Sequence, residues 1–95
     1  MARIELAPEV GEDLERILSH LAEHESDQGA QRIEAIIAAL DVLASNPEMG
    51  RRVRGEFREL VIGRERKGYL ALYQYLSEAD LVLVLAIRSQ RELAD

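Results

Sequence analysis

The stretch LVLVLAIRSQRE, from Leu81 to Glu92, decides the fold predicted for this chain. Its first seven residues, Leu81 to Ile87, are all apolar and mostly favour β-strands. Seven residues are too few to span a membrane, and an apolar run of this length without alternation is typical of a strand buried on both faces. Because the run leads directly to Arg88 and then Arg91, we expect a polar site or a partner contact at the carboxyl end of a central strand.

Length and composition indicate one small domain. The chain has 95 residues, of which 47% are hydrophobic and 32% charged, the balance of a globular protein rather than a disordered one. It has no cysteine, which excludes disulfides, thiol catalysis and cysteine-ligated zinc and fits a cytoplasmic protein. The opening MARIELAPEV contains no long apolar run, so we expect neither a secretory signal nor a membrane anchor.

The net charge of −6 is unevenly distributed. Residues 1–47 carry ten acidic and three basic side chains, whereas residues 51–67 carry seven basic and three acidic ones. A local basic patch on an acidic chain does not create the overall field that steers a protein to a phosphate backbone. We therefore expect no direct DNA binding.

The first half of the sequence predicts a strand followed by a helical hairpin. Arg3 to Ala7 alternates polar and apolar residues, which places Ile4 and Leu6 toward the core. Pro8 begins a helix that runs to about His24. A second helix, capped by Ser26 or Asp27, ends at Asn46-Pro47 because the residue before proline avoids helical angles. Apolar residues at spacings of three and four give the hairpin one broad apolar face.

The second half predicts an antiparallel meander. A turn at Glu48–Gly50 and a loop around Arg51–Gly55 precede strands at Phe57–Gly63, Tyr69–Leu76 and Leu81–Ile87. With the hairpin on one face of this sheet, the fold is α+β in two layers. One layer of helices covers only one face, so the other face is shielded by small residues and tyrosines or by a partner chain.

These elements and their motifs resemble the RelE/ParE superfamily of type II toxin–antitoxin toxins, which includes plasmid stabilisation proteins. The motifs that carry the resemblance are NPEMGR (Asn46–Arg51), REL (Arg58–Leu60) and IRSQRE (Ile87–Glu92). The resemblance covers nearly the whole chain and implies a single RelE/ParE-like toxin domain, residues 1–95.

The resemblance also implies a cognate ParD-like antitoxin, whose C-terminal segment packs on the helical hairpin and the sheet in a hetero-oligomer. The side chains expected to bind it are apolar and come from both helices and the last strand: Leu14, Leu18, Leu21, Ile33, Ile37, Val82 and Val84.

Two targets follow from the resemblance, because RelE-like members cut mRNA in the ribosome and ParE-like members inhibit DNA gyrase. Cleavage by a 2′-hydroxyl requires a base, cations for the phosphate and an acid. Where many family members carry a histidine in the closing motif, this chain has Ser89. The tyrosine or histidine that follows the last arginine in ribonucleolytic members is absent from the printed sequence. The remaining acid–base candidates are Tyr69, Tyr73 and Glu65.

We therefore favour inhibition of gyrase by binding, with Arg58, Arg88 and Arg91 as target contacts. The alternative is a ribosome-dependent mRNA endoribonuclease. Its catalytic residues would be Arg58, Arg64, Tyr69, Arg88 and Arg91. A third hypothesis is a binding module that has lost toxicity and still binds the antitoxin.

Each candidate site also has a purely structural interpretation. His20 and His24 have metal-ligand spacing on a helix, but no third ligand is evident, so we predict no metal and no cofactor. The three tyrosines of YLALYQYL, on one strand face, resemble a base-stacking platform and equally fit ordinary packing. The run Arg51–Arg54 fits a solvated loop, and Arg88 and Arg91 fit ion pairs with Glu59, Glu65 or Glu92.

Overall fold

The chain folds into two helices packed on one face of a five-stranded sheet. The computed structural model describes residues 1–24, 29–64 and 68–90. The helices are α1 (Pro8–His24) and α2 (Gly29–Val42). The strands are β1 (Arg3–Leu6), β2 (Arg51–Arg54), β3 (Phe57–Ile62), β4 (Tyr69–Leu76) and β5 (Leu81–Ser89). This arrangement confirms the predicted two-layer α+β class.

The strands lie in the order β1-β5-β4-β3-β2. The predicted meander is present, because β3, β4 and β5 pair antiparallel in sequence order. The N-terminal strand β1 pairs parallel with β5, from Arg3 beside Leu81 to Leu6 beside Val84. Therefore β5 has a neighbour on each side only over its first half.

Three sequence-based predictions about these elements need correction. The run Arg51–Arg54 is not a loop but the edge strand β2, joined to β3 by a turn in which Gly55 has a φ of 56°. Helix α2 ends at Val42 rather than at Asn46, and tight turns follow it. Leu6 is 51% exposed at the end of an edge strand, although Ile4 does pack against the core. The predicted caps Ser26 and Asp27 lie outside the described residues.

A bulge in β5 decides which side chains meet the helices. Leu72 pairs with Ala86 and Tyr73 with Val84, so Leu85 is an extra residue in the ladder. The extra residue reverses the alternation, and Val82, Val84 and Ile87 are all fully buried. A strictly alternating strand would direct either residues 81, 83, 85 and 87 or residues 82, 84 and 86 toward the helices, and the structure adopts neither pattern.

The core lies between this face of the sheet and the helices. Its sheet side includes Tyr69, Ala71 and Tyr73 of β4, and its helix side includes Val10 of α1 and Ile36 of α2. The opposite face of the sheet has no covering element among the described residues. That outer face carries apolar side chains that are half-buried or exposed: Phe57, Val61, Leu70, Leu72, Leu76, Leu81 and Leu83.

Candidate functional site

The carboxyl end of β5 is closed by a side chain instead of a strand. The pairing of β1 with β5 stops at Leu6, and the amide of Ala7 donates to the carbonyl of Val84 at 2.8 Å. Further along β5, the amide of Ile87 donates to Oδ2 of Asp13 on α1 at 2.9 Å. Asp13 is only 4% exposed. A buried carboxylate thus satisfies a strand amide that β1 is too short to reach.

The second oxygen of this carboxylate binds two arginines. Nη1 of Arg88 lies 2.7 Å from Oδ1 of Asp13, and Nη1 of Arg16 lies 3.0 Å from the same atom. Both arginines also donate to the carbonyl of Ile87, Arg88 at 3.0 Å and Arg16 at 3.4 Å. Their side chains are 44% and 45% exposed. We call Asp13, Arg16 and Arg88 the strand-end cluster; it presents two cations around one buried anion.

The hydrogen bonds of the strand-end cluster decide the charge on Asp13. Burial alone raises the pKa of this carboxyl, but the Ile87 amide and the two guanidiniums act in the opposite direction. The balance holds the pKa of Asp13 below its ordinary value of 3.8. Asp13 is therefore ionised at neutral pH, and the strand-end cluster has a net charge of about +1 from two arginines and one carboxylate.

A second polar cluster holds the turn that contains the NPEMGR motif. The Tyr73 hydroxyl donates to the carbonyl of Pro47 at 2.9 Å and accepts from the amide of Gly50 at 2.8 Å. Nη1 of Arg58 donates to the carbonyls of Gly50 at 2.8 Å and Glu48 at 3.0 Å. A Cβ on Gly50 would lie 2.6 Å from the Tyr73 ring, so only glycine fits this close approach. The motif thus specifies a turn fixed against β3 and β4.

The arginines predicted as functional lie in different environments. Arg58 is directed into the 47–50 turn and its side chain is 15% exposed, whereas Arg88 is half-exposed at the strand end. Arg64 is exposed directly after β3. Arg91 lies outside the described residues. The structure therefore does not bring Arg58 and Arg88 into one cluster, because their partners belong to separate parts of the fold.

Of the predicted ion-pair partners of Arg88, the structure describes only Glu59, and that prediction was wrong. Glu59 pairs with Arg51 on β2 at 2.9 Å, and Arg88 pairs with Asp13 instead. Glu65 and Glu92, the other predicted partners, lie outside the described residues. The run Arg51–Arg54 is exposed throughout, so β2 presents a basic free edge of the sheet.

The tyrosines of β4 are packing residues. Tyr69 is 6% exposed and Tyr73 fully buried, both on the helix-covered face, which leaves no open face for stacked bases. Tyr75 is half-buried, and its hydroxyl donates to Asp80 at 2.7 Å. The stacking hypothesis is therefore wrong, and neither Tyr69 nor Tyr73 is placed to exchange a proton with a substrate.

The predicted antitoxin-binding side chains divide into two groups. Leu18 and Ile37 are 45% and 46% exposed. Leu14 and Ile33, each four residues earlier in the same helix, are half-buried. Leu21, Val82 and Val84 need correction, because they are at most 5% exposed within the chain's own core. They do not form a surface that a partner reaches.

Asp13 and Arg16 were missed by the sequence-based prediction. A signal was present: Asp13 lies three residues after Val10 and four before Ile17, on the apolar stripe of α1. A charged residue inside an apolar stripe requires a buried partner. The partner could not be identified, because Ile87 is 74 positions away.

The described residues contain neither a cluster of metal-ligating side chains nor a helix suited to a membrane. No group of three or more metal-ligating side chains lies together in residues 1–24, 29–64 and 68–90. No helix in those ranges is long and apolar enough to cross a membrane.

Comparisons with known proteins find relatives among toxins and toxin–antitoxin systems. A family model described as the ParE toxin of the type II toxin–antitoxin system parDE matches residues 4–94. The chain is 28% identical over 92 residues to Toxin RelE3 of Caulobacter vibrioides, covering 97% of this chain and 98% of that one. A structure of the chromosomal ParDE system of P. aeruginosa superposes with a TM-score of 0.79 at 17% identity, covering 94% of this chain and 96% of that one. The intact E. coli RelBE complex gives 0.63 at 13% identity, with the same coverage.

Proposed function

This chain belongs to the ParE toxin family of type II toxin–antitoxin systems, and from that premise we propose that it inhibits DNA gyrase by binding it. Gyrase is the target that the resemblance to the ParE-like branch implies. The proposed contacts are Arg88, at the carboxyl end of β5, and Arg91, which follows it in the sequence, with Arg58 as a further contact. A ParD-like antitoxin neutralises the toxin.

The observation that supports binding rather than catalysis is that the polar groups at the carboxyl end of β5 already bind one another. Arg88 binds Asp13 and the carbonyl of Ile87, and Arg16 shares both of these acceptors. Asp13 is ionised and nearly enclosed, so it offers no proton to a leaving group and no access to a 2′-hydroxyl. Tyr69 and Tyr73, two of the three acid–base candidates, lie in the core, and the third, Glu65, lies outside the described residues. A half-exposed guanidinium held in place suits recognition of a carboxylate or phosphate on a partner.

We expect the double variant Arg88→Ala/Arg91→Ala to lose gyrase inhibition and to keep antitoxin affinity. The reason is that truncation removes the two proposed contacts and leaves the helical surface unchanged. The measurement is a supercoiling assay with purified toxin, followed by antitoxin titration calorimetry. Arg3→Ala is the matched control, because Arg3 is an exposed arginine beside Leu81, at the opposite end of β5. Unimpaired supercoiling at micromolar wild-type toxin would overturn the proposed target.

The proposed antitoxin surface is the exposed apolar part of the helical layer. Leu18 and Ile37 are each nearly half exposed, so a partner that covers them would remove apolar area from water. The ParDE and RelBE structures that this fold resembles are of a toxin–antitoxin system and a toxin–antitoxin complex. An amphipathic helix lying on this surface would cover both side chains.

One observation favours a second function. The free edge β2 is basic and exposed over its whole length, and the curated relative at 28% identity is a toxin named for RelE. A ribosome-dependent mRNA endoribonuclease would use such arginines on the phosphates. Specific mRNA cuts in a primer-extension assay, with supercoiling unaffected, would select this alternative. Harmless expression without any antitoxin would instead select a binding module that has lost toxicity.

A further inference from the structure

We infer that Asp13 is a positioning residue, which holds the Arg88 guanidinium in the orientation that meets the target. The inference rests on the proposed function, because it requires Arg88 to contact that target. Asp13 itself does not touch the target, since it is 4% exposed beneath the two arginines.

The first step is that the anchor of Arg88 is itself immobile. An arginine at a protein surface loses rotamer entropy when it forms an ion pair, so exposed pairs hold it weakly. Here the carboxylate is buried on α1, and the Ile87 amide fixes its Oδ2 at 2.9 Å. Nη1 of Arg88 then binds both Oδ1 of Asp13 at 2.7 Å and the carbonyl of Ile87 at 3.0 Å. Two fixed acceptors determine the plane of the guanidinium.

The second step is that this anchoring leaves the guanidinium able to bind a partner. Both bonds use Nη1, and a guanidinium has five N–H donors. The side chain remains 44% exposed. A carboxylate or phosphate of the target would therefore bind a guanidinium whose orientation is already fixed. Less side-chain conformational entropy is lost when binding begins from that state.

The third step concerns the charge. One carboxylate paired with one arginine would form a neutral surface, which attracts an anionic partner poorly. Arg16 also binds Oδ1 of Asp13, at 3.0 Å, so the strand-end cluster keeps a net positive charge while Arg88 is held. Asp13 thus orients a cation without cancelling the positive charge of the surface.

The test compares Asp13→Asn with Asp41→Asn in the gyrase supercoiling assay. The asparagine carbonyl still accepts from the Ile87 amide, but its NH2 group replaces the oxygen that binds Arg88 and Arg16 and cannot accept a hydrogen bond. We expect Asp13→Asn to raise the toxin concentration for half-inhibition roughly tenfold, the effect of losing a hydrogen bond to a charged group. Asp41 is an exposed acid on α2, and the same substitution there should leave the concentration unchanged.

Two readouts separate positioning from a merely structural role. In a double-mutant cycle, Asp13→Asn should add nothing to the loss caused by Arg88→Ala, although it would still lower the melting temperature. In ¹⁵N NMR spectra, the Arg88 guanidinium signals, assigned as those absent from Arg88→Ala, should show restricted Nη rotation in the wild type and averaging in Asp13→Asn. Antitoxin affinity should be equal in all of these variants.

The outcomes are distinguishable. If Arg88→Ala weakens inhibition and Asp13→Asn does not, the positioning role is wrong while the proposed contact stands. If Arg88→Ala inhibits gyrase like the wild type, the proposed contact is wrong and the inference falls with it. Should Asp13→Asn fail to fold, the NMR signals of Arg88 in the wild type decide: free Nη rotation would overturn the inference, and restricted rotation would support it.

Discussion

Asp13 joins two parts of the chain that are distant in sequence, helix α1 and the end of strand β5. Its two oxygens hold the amide of Ile87 on β5, the guanidinium of Arg88, and Arg16 on its own helix. Because the carboxylate is nearly enclosed, each of these bonds replaces water that burial has removed. The same residue therefore stabilises the packing of α1 on the sheet and determines where a surface cation lies.

The lowered pKa of Asp13 predicts how stability depends on pH. A carboxyl with a folded pKa below its unfolded value stabilises the fold fully above the unfolded pKa, and this contribution is lost as pH falls through the folded pKa. We expect Asp13→Asn to lower the free energy of unfolding by about 2 kcal/mol at pH 7. That difference from the wild type should persist to about pH 5 and shrink below about pH 4. Urea denaturation across this range measures it; a difference that grew on acidification would contradict the sign.

Secondary-structure elements with a clear hydrophobic period were predicted from the sequence. Two features without such a period, strand β2 and the bulge in β5, were missed. Helix α1 has the predicted bounds, and β3, predicted to begin at Phe57, alternates regularly, with Leu60 and Ile62 buried and Val61 61% exposed between them. The run Arg51–Arg54 has no buried side chain, so nothing in its pattern distinguishes an edge strand from a loop. The bulge at Leu85 was hidden because every neighbour is apolar, and apolar residues fit either face.

The bulge can be tested by core truncations on β5. Val84→Ala and Ile87→Ala should each lower the free energy of unfolding by roughly 2–4 kcal/mol, because both side chains are fully buried. Leu83→Ala should have a smaller effect, since Leu83 is half-buried on the outer face. In a strictly alternating strand, residues 84 and 87 would face opposite sides. A small effect at either position, measured by urea denaturation, would therefore argue against the bulge.

For the molecule as a whole, the fold class could be predicted from the sequence, but the contacts between its first and last elements could not. Two amphipathic helices followed by short strands allow few other arrangements, so the two-layer fold follows from the pattern. The parallel pairing of β1 with β5 and the bond from Asp13 to Ile87 join the ends of the chain, and a local pattern does not contain such contacts. The candidate site lies at these contacts. Arg88 could be proposed from the sequence because it follows the apolar run, whereas the other members of the strand-end cluster, Asp13 and Arg16, could not, because they are distant in sequence.

The apolar surface left outside the core predicts where the antitoxin binds. Ile37→Glu places a charge on α2 at a position that is 46% exposed, so the fold should tolerate it. If the antitoxin covers this surface, the buried charge should weaken its binding by roughly tenfold or more, the effect of losing an apolar anchor. Gyrase inhibition should be unchanged, because the strand-end cluster does not include Ile37. Gln31→Glu, which adds the same charge at another exposed position of α2, is the matched control. Titration calorimetry against the antitoxin compares the two, and equal affinities would place the antitoxin elsewhere, with the outer face of the sheet as the next surface to substitute.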